Sequence, residues 1–138
     1  MGATKRVAAF IGHSGSGKTT LIVALIQHLV ERGERVAAIK HTHHPLNEEN
    51  RGDTAKFRAA GAEPVIMAGD REGVVFHAGG TRRIAFEHPP DLLDELPATV
   101  VLVEGFKSFS GWPTVDVEEK RRLTVEEALA ILDRIWSP

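Results

Sequence analysis

The sequence predicts an α/β fold in which helices cover both faces of a mostly parallel sheet, giving three layers. Short apolar runs, typical of buried parallel strands, alternate along the chain with amphipathic helical stretches. A glycine-rich segment joins the first apolar run to the first helix, and two later runs around a polar turn indicate an antiparallel hairpin. The 138 residues suit a single domain, and we assign residues 1–138 to it.

The first half of the chain alternates strand and helix. Residues 7–11 are an uninterrupted apolar run, which is typical of a buried strand. The helix predicted over residues 18–32 has apolar side chains three and four positions apart. A second run, residues 36–39, predicts the next strand, and a short helix over residues 53–60 follows with Asp53 as its N-cap.

The second half begins with the hairpin, formed by residues 65–67 and 74–76. Residues 99–103, Thr-Val-Val-Leu-Val, are the most strand-like run in the chain. Thr124-Val-Glu-Glu127 matches a capping box and opens a last helix that extends to residue 135. The remaining predicted elements are strands at residues 84–86 and 114–117 and a helix at residues 91–96.

The composition excludes several classes of protein. The absence of Cys excludes disulfides, thiolate metal sites and cysteine nucleophiles. A net charge of −2 gives no general attraction for nucleic acid. The longest apolar stretch, residues 21–26, is far shorter than the ~20 residues of a membrane span, and glycines and a lysine interrupt the N-terminal apolar run. We therefore expect a cytoplasmic protein with no membrane or nucleic-acid partner.

The glycine-rich segment is the strongest functional motif. Gly12-His-Ser-Gly-Ser-Gly-Lys18-Thr19 matches G-x-x-x-x-G-K-[ST] in full, after a strand and at the start of a helix. In this motif the backbone N–H groups cradle phosphates, the lysine reaches the β- and γ-phosphates, and the hydroxyl ligates Mg²⁺. The alternative is a glycine-rich turn without a ligand. We predict a P-loop NTPase fold with this loop as its nucleotide site.

A magnesium site next to this loop needs an acidic residue at the end of a neighbouring strand. Glu104 directly follows the apolar run 99–103, at the sheet edge where α/β proteins bind ligands. Asp70 is the alternative, although Asp-x-x-Gly between two apolar runs is also ordinary turn chemistry. Asp53 is either a helix cap or a further contact to the γ-phosphate, Mg²⁺ or the attacking water.

A basic cluster, Lys40-His-Thr-His-His44, ends the second predicted strand. On an extended chain His41 and His43 share one face, and Lys40 and His44 lie on the other. Three readings stay open: solvated loop histidines, a site for an anionic ligand aided by Lys40, or a zinc site that lacks further spaced ligands. Lys107, three residues after Glu104, is either an exposed loop lysine or part of the same cleft.

Four segments occur in a distinctive order: residues 12–19, 40–44, 53–62 and 103–107. The phosphate loop alone is shared by a vast superfamily, so the Lys-His-Thr-His-His and Val-Glu-Gly-Phe-Lys segments make the match specific. Over about residues 5–117 the chain resembles the molybdopterin-guanine dinucleotide biosynthesis protein B family. That resemblance implies a homodimeric GTP-binding adapter with weak GTPase activity. Its implied partner is the guanylyltransferase that attaches GMP to molybdopterin.

The resemblance also implies roles for residues matched by position. Mg²⁺ would lie at Thr19 and Glu104, with Asp53 as a further metal or water contact, and Lys18, Asp53 and Glu104 would carry the catalytic roles. Lys40, His41, His43, His44 and Lys107 would line a cleft for molybdopterin or a partner protein. The triphosphate of GTP would bind Gly12, His13, Ser14, Gly15, Ser16, Gly17, Lys18, Thr19 and Thr20.

Two departures qualify this picture. Related dimeric P-loop ATPases carry a second lysine where this chain has His13, so a lysine reaching across a dimer from that position is not expected. The guanine-reading N-K-x-D motif is absent, so the preference for guanine rests on the resemblance alone. Two other hypotheses stay open: a P-loop small-molecule kinase, for which Arg51 and Arg58 could serve a lid, and a nucleotide-gated binding module without turnover.

Overall fold

A computed structural model describes residues 5–13, 15–49, 51–118 and 123–137. The helices are α1 (Lys18–Glu31), α2 (Asp53–Ala60) and α3 (Val125–Trp136), and a 3-10 helix spans Pro89–Glu95. None of the described helices has the length and apolar character that crossing a membrane requires. The strands are β1 (Arg6–Ile11), β2 (Val36–His41), β3 (Val65–Ala68), β4 (Glu72–His77), β5 (Gly80–Ala85), β6 (Val100–Glu104) and β7 (Thr114–Asp116).

The strands form one sheet in the order β5-β4-β3-β2-β6-β1-β7. Five neighbouring strands are parallel, in the order β3-β2-β6-β1-β7. Strand β4 is antiparallel to both of its neighbours, β3 and β5. The predicted mostly parallel sheet with an antiparallel hairpin is therefore confirmed. In the register of the central strands, Glu104 of β6 is paired with Phe10 of β1 and Lys40 of β2, so the ends of all three lie at one edge.

The two faces of the sheet are covered differently. On one face α1, α2 and α3 bury apolar side chains such as Leu25, Phe57 and Leu132 against the sheet. On the other face Leu92 and Leu96, from the 3-10 helix and its end, pack with Phe106. The prediction of helices on both faces is confirmed, although a short 3-10 helix opening with two prolines covers the second face. Each fully buried leucine contributes about 2 kcal/mol by leaving water.

The predicted cap of α2 is wrong. Gly52 occupies the N-cap position with no side-chain hydrogen bond, and Asp53 is the first helical residue. The Asp53 carboxylate is instead engaged by Lys40 and Thr19, from β2 and α1. The Asp53 side chain, which the local sequence predicts to cap the helix, therefore binds the Lys40 ammonium instead.

The predicted capping box at α3 is confirmed. The Thr124 hydroxyl accepts a hydrogen bond from the Glu127 amide at 3.1 Å, and the Glu127 carboxylate accepts one from the Thr124 amide at 3.2 Å. The predicted strand at residues 84–86 is displaced: β5 begins at Gly80, because a tight turn pairs Gly80 with His77.

Candidate nucleotide site and the adjoining cleft

The glycine-rich loop connects β1 to α1 at the carboxyl edge of the sheet. Gly15 and Gly17 have φ values of 87° and 92°, which a residue with a Cβ adopts only with strain. Gly17 is the N-cap of α1, where no side chain makes a capping hydrogen bond. The first-turn N–H groups of α1 are thus without a side-chain cap, as the first turn of an anion-binding helix requires.

Lys18 folds back over the loop. Its ammonium donates to the carbonyl oxygen of Gly12 and lies 3.3 Å from that of His13. The Ser16 hydroxyl is buried and has no hydrogen-bond partner among the described residues. Ser14, a predicted phosphate contact, lies outside the described residues. Lys18 is therefore held at the loop by backbone carbonyls that incoming phosphate oxygens can replace.

Glu104 ends β6 and is almost fully buried, with 2% of its surface exposed. Its Oε1 lies 2.8 Å from the Thr19 hydroxyl, which is also 3.2 Å from Oδ2 of Asp53. The structure thus brings the two predicted acidic metal-site residues, from α2 and β6, within hydrogen-bond distance of the Thr19 hydroxyl of α1. Asp70, the alternative acid, lies in the turn between β3 and β4, contacts His41, and has a side chain that is 80% exposed.

Lys40 joins this group from β2. Its ammonium lies 2.8 Å from Oδ2 of Asp53 and makes an ion pair with Glu104. Burial by itself lowers the pKa of Lys40, but hydrogen bonds to Asp53 and Glu104 outweigh it and hold the pKa above its ordinary value. Burial likewise raises the pKa of Asp53, but the hydrogen bond and charge of Lys40, the Thr19 hydroxyl and the charge of Lys56 together outweigh burial, so that carboxyl has a lowered pKa. Lys40 and Asp53 are therefore both charged at neutral pH.

These residues enclose a cleft of about 380 Å³, which we call the loop cleft. Of the predicted nucleotide contacts, Gly12 lies on the wall of the adjoining cleft described below. The His13 ring makes a hydrogen bond through Nδ1 with the Glu118 carboxylate, which also accepts the His13 amide at 3.1 Å. The bond from the His13 ring, with a smaller contribution from the amide bond, lowers the pKa of the Glu118 carboxyl. The loop cleft is lined by His13, Gly15, Gly17, Lys18, Thr19, Thr20, Lys40, Asp53 and Glu104.

A second cleft of about 650 Å³, the histidine cleft, adjoins the first and shares Lys18, Lys40 and Glu104 with it. It contains His41, His43 and Lys107 of the predicted partner-facing set. His44 is exposed, and the residues lining this cleft do not include it. The remaining wall comes from the turn between β3 and β4, the start of the 3-10 helix, the segment after β6 and the phosphate loop: Asp70, Pro89, Gly105, Phe106, Ser108, Phe109 and Gly12.

Close packing fixes the histidine cleft. The ring of His41 stacks on Phe106 with 4.1 Å between centroids and meets the His43 ring edge-on at 4.8 Å. The predicted shared face of His41 and His43 is therefore confirmed. Gly105 has a φ of 105°, and a Cβ there would lie 2.8 Å from Cβ of His41. Only glycine lets the segment after β6 approach β2 this closely.

The hydrogen bonds of His41 assign its tautomer. Its Nδ1 accepts the Phe106 amide at 3.4 Å, so Nε2 carries the proton and donates to Oδ1 of Asp70 at 2.9 Å. That bond lowers the pKa of the Asp70 carboxyl. His41, His43 and Asp70 offer ligand atoms within 4.8 Å of one another, a separation compatible with one metal ion. A metal on Nε2 requires the other tautomer, which gives up the bond from the Phe106 amide.

Sequence reasoning missed three contacts. Lys40 was assigned to the histidine cluster, whereas it makes ion pairs in the loop cleft; the pairing of β2 with β6 would have revealed this. Asp70 is predicted as either a turn residue or a magnesium ligand; it lies in the turn, and its unpredicted contact is with His41. Nothing local in the sequence signals the contact of Glu118 with the phosphate loop, which spans 105 positions.

The comparisons with known proteins complete this picture. The profile described as "MobB: Molybdopterin guanine dinucleotide synthesis protein B" matches residues 7–133. The chain belongs to the MobB family. The family expected from the phosphate loop, the histidine segment and the Val-Glu-Gly-Phe-Lys segment is confirmed.

Curated relatives agree with the MobB assignment. A molybdopterin-guanine dinucleotide biosynthesis adapter protein of Haemophilus influenzae is 37% identical over 97 residues, 70% of this chain and 54% of the relative. The adapter protein of Escherichia coli is 37% identical over 101 residues, 72% of this chain and 58% of the relative. A putative adapter protein of Methanocaldococcus jannaschii is 31% identical over 94% of this chain and 48% of its own length. The chain thus spans about half the length of these relatives.

Solved MobB structures also match. The Bacillus subtilis MobB structure is 25% identical, with a TM-score of 0.46, over 80% of this chain and 63% of the other. The MobB homologue from Bacillus stearothermophilus is 18% identical, with a TM-score of 0.46, over 94% of this chain and 99% of the other.

Proposed function

We propose that this chain is a GTP-binding protein with weak Mg²⁺-dependent GTPase activity that acts as an adapter in the biosynthesis of molybdopterin guanine dinucleotide. The observation that carries the nucleotide part is the convergence of Thr19, Asp53 and Glu104 beside the phosphate loop. The adapter role and the preference for guanine are taken from the MobB family and the names of the relatives.

The residues of the loop cleft fit Mg²⁺. They offer a hydroxyl from Thr19 and carboxylates from Asp53 and Glu104, the hard oxygen donors that this ion prefers. The Lys40 ammonium contacts both carboxylates, so a positive charge already lies where these oxygen donors converge. When bound, Mg²⁺ would withdraw negative charge from the β- and γ-phosphate oxygens.

Slow hydrolysis follows from what the chain supplies. The loop amides and the Lys18 ammonium would bind the phosphates and offset the charge that develops on the γ-phosphate as water attacks in line. Asp53, at the start of α2, would orient that water. The described part of the cleft lining contains no arginine. An arginine that reaches the transferred phosphate raises the rate of hydrolysis by ~10³–10⁵, so weak turnover is expected without one.

Two assays test this proposal. With Mg²⁺·GTP, release of GDP and inorganic phosphate supports it, whereas a phosphorylated metabolite would indicate a kinase. Binding without hydrolysis, even with the guanylyltransferase present, would indicate a module without turnover. A pull-down with molybdopterin guanylyltransferase, with and without GTP, tests the adapter role. Failure to associate in both conditions overturns the adapter role and leaves the nucleotide site standing.

We assign the histidine cleft to the binding of molybdopterin or of the partner protein. Lys107 supplies positive charge for an anionic group, and Phe106 and Phe109 supply aromatic walls. Homodimerisation is proposed from the family resemblance and is tested by light scattering coupled to size-exclusion chromatography. A monomeric mass at every concentration would contradict it.

A further inference from the structure

The burial of Glu104 requires a positive partner. An ionised carboxylate with 2% of its surface exposed is strongly destabilised unless a cation or hydrogen-bond donors compensate it. Lys40 and the Thr19 hydroxyl meet its two oxygens. The Lys40 ammonium also contacts Asp53, so one lysine serves both carboxylates.

The same atoms are the proposed metal ligands. A divalent cation that binds Thr19 and Glu104 therefore competes with the Lys40 ammonium for carboxylate oxygens. Counting formal charges, Lys18 and Lys40 balance Asp53 and Glu104, so the cleft has no excess negative charge to attract a metal ion alone. A nucleoside triphosphate changes this balance because it adds several negative charges at the loop.

We propose that Lys40 is the resident counter-cation of the loop cleft and prevents divalent metal from binding until a nucleoside triphosphate enters. This inference rests on the proposed function, because the triphosphate is the ligand that displaces Lys40. The displaced ammonium has two places to go: the incoming phosphate oxygens, or the histidine cleft, whose wall already includes Lys40. Lys40 is thus a specificity-determining residue that makes metal binding depend on nucleotide.

Mn²⁺ titrations followed by electron paramagnetic resonance test this directly, with the full chain and no turnover. For the native chain we expect Mn²⁺ binding with GTP and at least tenfold weaker binding without it. Lys40→Met keeps the apolar stem and removes the charge, and it should bind Mn²⁺ alone at least tenfold more tightly than the native chain. Lys40→Arg keeps the charge and should resemble the native chain.

Lys56→Met is the matched control. Lys56 lies 4.0 Å from Asp53, but its side chain is 65% exposed and makes no ion pair with Glu104. Its removal should leave Mn²⁺ binding without nucleotide unchanged. An equal gain in Lys56→Met would show general electrostatics and overturn the role of Lys40.

Other outcomes separate the two proposals. Native chain that binds Mn²⁺ equally well with and without GTP overturns the counter-cation role, whether or not any Lys40 variant folds. Folded Lys40→Met, checked by circular dichroism, that gains no affinity for Mn²⁺ also overturns it. Native chain that binds neither GTP nor Mn²⁺·GTP overturns the proposed function itself.

Discussion

The loop cleft and the histidine cleft share Lys18, Lys40 and Glu104, but different interactions hold the two clefts together. The loop cleft is dominated by one continuous segment, and its other residues are held by charge pairs. The histidine cleft is assembled from the end of β2, the turn between β3 and β4, and the segment after β6, and it is fixed largely by ring stacking and a glycine contact. The first is a local structure completed by charge, whereas the second depends on tertiary packing.

The largest expected effect comes from a substitution that disrupts the loop cleft and leaves the ring stacking of the histidine cleft intact. Lys18→Ala removes the ammonium that the loop carbonyls hold, and GTP affinity should fall at least ~100-fold, equivalent to about 2.7 kcal/mol. Isothermal titration calorimetry measures it. Lys107→Ala, in the histidine cleft, should leave GTP affinity within about threefold. Native affinity in Lys18→Ala would contradict the site assignment.

The next prediction breaks the histidine cleft through its backbone. Gly105→Ala places a Cβ 2.8 Å from Cβ of His41 at a φ of 105°, and should lower the free energy of unfolding by roughly 2–3 kcal/mol. Gly33→Ala is the matched control, because Gly33 has a φ of 88° with open space around it. It should cost about 1 kcal/mol, from backbone strain alone. Urea unfolding compares the two, and equal losses would show that the contact with His41 is not constraining.

Glu104→Gln and Asp70→Asn compare the acids of the two clefts. Glu104→Gln keeps the shape and removes the charge beside Thr19, so the gain in GTP affinity on adding Mg²⁺ should shrink about tenfold. Asp70→Asn should leave that gain unchanged, since Asp70 contacts His41 and is exposed. Titrations with Mg²⁺ and with EDTA measure both. The opposite ranking would transfer the metal site to Asp70.

The smallest expected effect is on stability against pH. The pKa of Asp53 is lowered in the folded chain, so its contribution is present above about pH 4 and is lost as the pH falls further. The pKa of Lys40 is raised, so its contribution is present below about pH 10 and is lost as the pH rises beyond that. Asp53→Asn should cost about 1 kcal/mol at pH 7 and progressively less below pH 4. Urea unfolding from pH 7 to pH 2 checks this, and a cost independent of pH would contradict it.

The loop cleft was largely predictable because its signal is local. Residues 12–19 specify a phosphate loop by themselves, and Glu104 follows from an apolar strand that ends at the ligand-binding edge. The family could be identified for the same reason. The parallel sheet followed from uninterrupted apolar runs, and the cap of α3 from four consecutive residues.

The contacts that could not be predicted depend on pairing between strands that are far apart in the sequence. Lys40 lies opposite Glu104 only because β2 and β6 are neighbours in the sheet, although 64 positions separate them. Lys40 also binds the carboxylate of Asp53, which therefore does not cap α2 as predicted. Asp70 reaches His41 because β3 pairs with both β2 and β4. Local propensity contains no information on which strands become neighbours.

The most direct test of the central claim is calorimetric titration of the native chain with GTP, first with Mg²⁺ and then with EDTA. We predict saturable binding at one site per chain, weakened at least tenfold when the metal is removed. ATP in place of GTP measures base preference in the same experiment. The absence of saturable binding for both nucleotides in the presence of Mg²⁺ would contradict the account.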